Sequence, residues 1–270
     1  YTVLDLEYVA KTEFWSRMNF GISSLLPIFL SIVFANLLPR DLYGSFRYLM
    51  SIAGAFGFLI SSGLDGAILR AAARVYDSAF QYAVQRHLRT DFIFFLSMSV
   101  FSVFYAINGN AVFSISLLVL GLTAPFFFAF RSYRAYLMGK GKKRLSLIYS
   151  VSANLIYILA MVIALFVTDS IIAIVCTYAL SKIFSTFLFY KKTLRVFKSS
   201  SEKKLDKGIK KILRKAEYLS VMDIFTTISL YIDKILVFHF LGPVQLAVYS
   251  LAVLIPERLR TYSRKFLGFI

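Results

Sequence analysis

The 270-residue chain is 59% apolar and only 17% charged, yet its 31 Lys and Arg outnumber 14 Asp and Glu, for a net charge of +17. A soluble domain averages about 45–50% apolar and about 25% charged residues, and soluble cationic proteins are polar. A nucleic-acid-binding domain, a disordered tail and a soluble enzyme are therefore excluded. One cysteine, Cys176, cannot build a disulfide scaffold or a zinc cluster. What remains is an all-α polytopic membrane protein.

The first 17 residues mix Asp5, Glu7, Lys11, Glu13 and Arg17 without the apolar core of a signal peptide. The sequence opens on Tyr1 and breaks off in the apolar run to Ile270, so it is expected to be part of a longer chain. A bilayer core about 30 Å thick needs roughly 20 apolar helical residues. Eight segments approach that length: 18–38, 45–63, 90–108, 111–131, 146–168, 170–190, 217–240 and 244–262. They lack the strict alternation of barrel strands.

The connections alternate in character. Pro39–Asp41, Asn108–Asn110, Thr168–Asp169 and Gly242–Pro243 are tiny, whereas 64–89, 131–145 and 191–216 are longer and basic. Of the 31 cationic residues, 27 fall on the side of the longer connections and both ends, and only Arg40 falls on the other. By the positive-inside rule the N-terminus is cytoplasmic and the basic side faces the inner leaflet. Those loop charges read as topology and attraction to anionic lipid head groups, with no nucleic-acid partner.

Ser199 to Glu202 fits a capping box, and Leu205, Ile209, Ile212, Leu213 and Ala216 then recur at helical spacing among lysines. This predicts a basic amphipathic helix on the membrane surface. It divides the chain into a six-helix bundle (1–190), a cytoplasmic linker (191–216) and the first two helices of a second bundle (217–270). Sliding the sequence by 203 residues supports the division. Ser23-Ser24-Leu25 falls on Thr226-Thr227-Ile228, Leu38 on Leu241, Gly44 on Ala247 and Phe46 on Tyr249, and each copy carries a proline (Pro39, Pro243) in its short turn. Parallel repeats of this kind are a known transporter design.

Leu37-Leu-Pro-Arg-Asp-Leu-Tyr-Gly44, Ile232-Asp-Lys-Ile-Leu-Val-Phe-His-Phe-Leu-Gly-Pro243 running into Ala247-Val-Tyr-Ser-Leu-Ala252, and Tyr136-Leu-Met-Gly-Lys-Gly-Lys142 are soft motifs. Together they resemble the polysaccharide flippases of the O-antigen type in the MOP exporter superfamily, relatives of the multidrug and toxic-compound extruders. The resemblance covers essentially the whole sequence. It implies a twelve- to fourteen-helix transporter of two bundles about a central cavity, truncated here at about the eighth helix. It also implies an inner-membrane protein whose cargo is a lipid-linked oligosaccharide on a polyprenyl pyrophosphate, with membrane lipids, a polysaccharide polymerase and a ligase as partners.

Such a cargo requires a wet, partly cationic cavity. Each charge inside a span costs about 2.5–3.5 kcal/mol on insertion scales and should face protein or water. Three cations qualify as candidate substrate-binding residues: Arg47, two residues into the second span, which either snorkels to head groups or lines the cavity; Lys182, near the middle of the sixth; and Lys234 in the seventh. Asp223 and Asp233 are the candidate ion-coupling or ion-pairing acids. Adjacent helical residues diverge by about 100°, so Asp233 and Lys234 are expected to find separate partners, Arg47 for Asp233, while Lys182 pairs with Asp223. Asp65 and Glu257, at inner span ends, are expected to meet loop cations. Ala53-x-x-x-Gly57-x-x-x-Ser61 reads as a small-residue packing stripe.

Enzyme chemistry finds no support. The sequence offers no acidic pair to hold Mg²⁺, no Gly-rich phosphate loop and only two isolated histidines, His87 and His239. No cofactor is expected. A cation-coupled multidrug antiporter and a membrane-embedded glycan-modifying enzyme stand as alternatives. The first would favour an acidic cavity and the second a large outer loop.

Overall fold

A computed structural model describes residues 25–60, 63–73, 78–197 and 224–257, with Phe14, Met18, Gly21 and Ile22. The described chain is helical throughout, with no strand among those residues. In order, the helices are α1 (Leu25–Leu37), α2 (Arg40–Ala55, tightening into a 3₁₀ turn over Phe56–Leu59), α3 (Gly63–Ala73), α4 (Ser78–Thr90) and α5 (Phe92–Ile107). There follow α6 (Ala111–Arg131), α7 (Tyr133–Gly139), α8 (Lys143–Val167), α9 (Ile171–Val196), α10 (Ile224–Ser229), α11 (Ile232–Leu241) and α12 (Pro243–Ala252).

Four helices among the described residues are long and apolar enough to cross a membrane: Phe80–Ile107, Ala111–Gly139, Lys143–Val167 and Ile171–Val196. A fifth is added if Arg40–Leu59 and Gly63–Ala73, inclined at 54°, form one bent span. The remaining expected spans coincide with α1, α10–α11 and α12, described over less than a bilayer's thickness. Large apolar side chains such as Val100, Ile107, Leu159, Phe166 and Leu180 are exposed on the outside of these helices, the surface that a bilayer covers.

Turn chemistry sets the tight ends. Gly109 (φ 76°) closes the α5–α6 hairpin, where the Asn110 side chain caps α6 by accepting from the Phe113 N–H at 3.1 Å. Gly242 (φ 88°) turns α11 into α12, which opens with Pro243 in its first turn. α12 lies against α2, and a Cβ on Gly44 would run into the Pro243 carbonyl. The two halves of the proposed repeat thus meet backbone to backbone at their prolines' ends.

Three boundaries differ from the hydropathy reading. Within the connection 64–89, residues 64–73 and 78–89 are helical. α4 buries Phe80, Ala83, Val84 and His87 on one face and carries Gln81, Gln85 and Arg89 on the other, so an apolar-window reading sees a polar loop where an amphipathic helix stands. α2 begins at Arg40, which puts Arg47 two turns inside it. α9 continues to Val196, so residues 191–196 belong to a helix, not to the linker. The amphipathic helix expected over 199–216 lies outside the described residues.

The core falls into two clusters. Phe34, Tyr43, Leu49, Met98, Leu117, Met161, Val175 and Leu246 fill the half nearest the short turns. Leu64, Ile68, Phe80, Ala129, Tyr133, Leu137 and Phe189 fill the half nearest the basic connections. The small-residue contact is made by Gly54, where a Cβ would come within 2.5 Å of the Tyr231 ring. The expected stripe is broken because α2 tightens after Ala55, and Gly57 has only the Thr227 methyl, at 3.8 Å, near its missing Cβ.

Candidate functional site

α2, α6, α8 and α9 enclose a cavity of about 780 Å³, with α1, α3, α4 and α10 completing its wall. Arg47, Lys182 and Arg131 all line it. Counted at 1.5 Å per residue from the short-turn end of their own helices, they sit at about 10, 16 and 30 Å, so the three form a ladder from one end of the bundle to the other.

Each rung is held differently. The Arg47 Nε is buried and has no hydrogen-bond partner among the described residues. Arg47 lines the cavity. Lys182 sits in an aromatic cage, its Nζ 4.1 Å from the Tyr157 ring centre, 5.6 Å from Phe127 and 5.8 Å from Tyr178. Cation–π contact at a desolvated site contributes roughly 0.5–2 kcal/mol, which offsets part of the insertion cost without neutralising the charge. The Arg131 guanidinium stacks 4.8 Å from the Phe128 ring and approaches Asp65 Oδ2 at 3.6 Å. A side pocket of about 110 Å³ branches off between Lys182, Arg131 and Arg134, where the buried Ser150 hydroxyl has no partner among the described residues. Three cations, hydroxyls and flat aromatic faces converge here, a surface suited to an anionic group carrying polar rings.

At the basic end Asp65 and His87 also line the cavity. Asp65 meets Arg131, as expected of an acid at a span end, and the buried His87 hydrogen-bonds Asp91 through Nδ1 at 2.9 Å. Sequence reasoning missed this cluster. Residues 65, 87, 91 and 131 come from α3, α4, the α4–α5 turn and α6, and Arg131 was counted among topological loop charges.

Lys234 does not line the cavity. It is buried, with Nζ 2.6 Å from Glu257 Oε1, 3.1 Å from the Leu230 carbonyl and 3.6 Å from Asp233 Oδ1. Asp233 in turn accepts from the Tyr249 hydroxyl at 2.6 Å and the Lys234 N–H at 2.8 Å. Three expectations are corrected by this network. Asp233 pairs with its neighbour, because the lysine stem folds back over the helix break at Leu230–Tyr231, and its partners are on α11 and α12, not Arg47. Glu257 meets Lys234, a cation inside the hairpin and not in a loop, as one of its partners. The partner expected for Lys182, Asp223, lies outside the described residues. No group of three or more His, Cys, Asp or Glu among the described residues could hold a metal ion.

Long apolar helices, lipid-facing side chains and an internal charged cavity define a multi-pass α-helical membrane protein. The family comparison carries this further. The model of the polysaccharide biosynthesis protein family matches residues 9–256, nearly the whole chain, and the chain belongs to that family. No curated protein and no solved structure gives a match. Membership supports a role in polysaccharide biosynthesis or export, in a family whose members are generally transporter-like.

Proposed function

We propose that the protein moves a polyprenyl-pyrophosphate-linked oligosaccharide from the inner to the outer leaflet of the cytoplasmic membrane by alternating access, as a carrier without enzymatic chemistry. The observation that carries this reading is the ladder of Arg47, Lys182 and Arg131 along one cavity. A pyrophosphate crossing hydrocarbon meets a prohibitive desolvation cost, and cations at successive depths offer it charge-assisted contacts along the route. Phe127, Tyr157 and Tyr178 supply faces for sugar rings. The N-terminus and basic connections face the cytoplasm in this reading, where lipid-linked cargo is made and where the basic surface gathers anionic head groups. A polymerase and a ligase would take the cargo up outside.

The cavity chemistry favours an anionic cargo over the cationic drugs of a multidrug extruder: Arg47, Lys182 and Arg131 line it against Asp65. Deleting the gene tests the proposal. Sugar-lipid should accumulate on the inner leaflet and surface polysaccharide should be lost, with both restored by the wild-type chain. Normal surface polysaccharide in the deletion strain overturns it.

A further inference from the structure

The basic end of the cavity holds an arrangement that the cargo does not require. His87 is buried, and its Nδ1 lies 2.9 Å from Asp91 Oδ2. An ionised carboxylate only accepts hydrogen bonds, so Nδ1 carries the proton and Nε2 presents a lone pair. Facing Nε2 at 3.9 Å is Asp65 Oδ1. Both atoms are buried, and neither has a hydrogen-bond partner among the described residues. Two buried acceptors therefore confront each other without a donor, which is costly unless something sits between them. The gap closes to an ordinary charge-assisted bond with a movement of about 1 Å.

We propose that His87 and Asp65 form a proton-binding site that competes with Arg131 for the Asp65 carboxylate. With no proton bound, Asp65 Oδ2 holds Arg131 at 3.6 Å. A proton taken from solvent binds His87 Nε2; the new N–H donates to Asp65 Oδ1, the carboxylate turns toward the imidazolium, and Arg131 is released into the cavity. Among the described residues, the charged groups facing this site are Asp91 from the α4–α5 turn, Asp65 from α3, Arg131 from α6 and, acting on Asp65, Arg134 from α7. Arg86 and Arg89 on α4 itself diverge from His87 by helix geometry. The two carboxylates stabilise the imidazolium and the two arginines oppose it, so the site is balanced, not locked. That the released Arg131 serves an anionic cargo rests on the function proposed above; the proton site itself does not.

The chain has only two histidines, and His239 is exposed on α11. In histidine-labelled full-length protein carrying H239Q, one imidazole signal remains and can be followed by nitrogen NMR. His87 should show the Nδ1–H tautomer when neutral and gain its second proton on acidification, at Nε2. Asp65→Asn should make that protonation harder and Arg131→Gln easier than in wild type, as removal of an attractive and a competing charge requires. An Nε2–H tautomer in the neutral ring, a ring that never takes a second proton while the protein stays folded, or a protonation unmoved in Arg131→Gln overturns the proposal. The tautomer and the second protonation need no variant at the site, so misfolding of Asp65→Asn leaves the test standing. If the titration holds while the deletion strain keeps its surface polysaccharide, the proton site stands and the flippase reading falls.

Discussion

The cavity and the α11–α12 hairpin both carry charge inside a membrane protein, and they treat it oppositely. Around Lys234 every charge is matched: Glu257 and Asp233 flank the ammonium, and Tyr249 takes the free oxygen of Asp233. Around Lys182 no carboxylate lies within ion-pair distance among the described residues, and the charge rests on three aromatic faces. Charge inside a span is costly wherever it sits, and the two regions differ in what remains after that cost is met. The hairpin's charges are spent on each other, while Lys182 remains available to something that enters the cavity.

The largest effect should come from the matched region. Lys234→Ala removes a buried ammonium that is shared by two partly exposed carboxylates, and with it the charge-assisted hydrogen bonds to Glu257 and the Leu230 carbonyl, a loss of about 1.5–3 kcal/mol. Thermal unfolding of purified protein in detergent should show a large loss of stability. A variant as stable as wild type would mean that these charges are not matched to one another.

Lys182→Met should act the other way round. Methionine fills much the same volume and suits an aromatic cage, so the fold should hold. Loss of one charge-assisted contact to an anion, worth about 1.5–3 kcal/mol, should lower surface polysaccharide output about 10- to 100-fold at equal membrane level. Output unchanged by this substitution removes Lys182 from the cargo path and erases the contrast between the two regions.

Gly44→Val probes the seam between α2 and α12. The Pro243 carbonyl occupies the space any Cβ would need, and backbone cannot yield as a side chain can. Overpacking of this kind costs about 1–3 kcal/mol, read as a lowered unfolding temperature. Gly57→Ala, with only a methyl at 3.8 Å, should be tolerated and serves as the control.

How much of this could be read from the sequence follows the same division. Hydropathy located the long helices because insertion in a bilayer depends on composition over about 20 residues, and Pro39 and Gly242–Pro243 marked the turns because their backbone preferences are local. Arg47 and Lys182 stood out as charges in apolar surroundings. Partners did not stand out. Glu257 lies 23 residues beyond Lys234, across a turn and a helix break that hydropathy does not register. Arg131 looked like one more topological cation because it ends a span, and only the packing of α3, α4 and α6 brings Asp65 and His87 to it. Local rules place elements; which charges meet is decided by how those elements cross.

The smallest effect concerns the link between the two regions. Tyr48 on α2 stacks on Phe238 of α11, ring centres 3.8 Å apart and 11° from parallel, while its hydroxyl meets that of Tyr105 on α5 at 2.6 Å. One side chain therefore ties the hairpin to the cavity-forming bundle through its face and to α5 through its tip. Tyr48→Phe keeps the stack and removes the hydroxyl pair. Hydrogen bonds between membrane helices average about 0.6 kcal/mol because the unfolded chain also finds partners, so a shift in stability of that size is expected, with transport unchanged. Tyr48→Leu also removes the ring contact, a further 0.5–1.5 kcal/mol or about that, and loosens the hairpin from α2. If Tyr48→Phe already costs as much as Tyr48→Leu, the hydroxyl pair and not the stack joins the regions. The matched hairpin would then be tied to the bundle through α5, and its separation from the cavity would be a matter of charge alone.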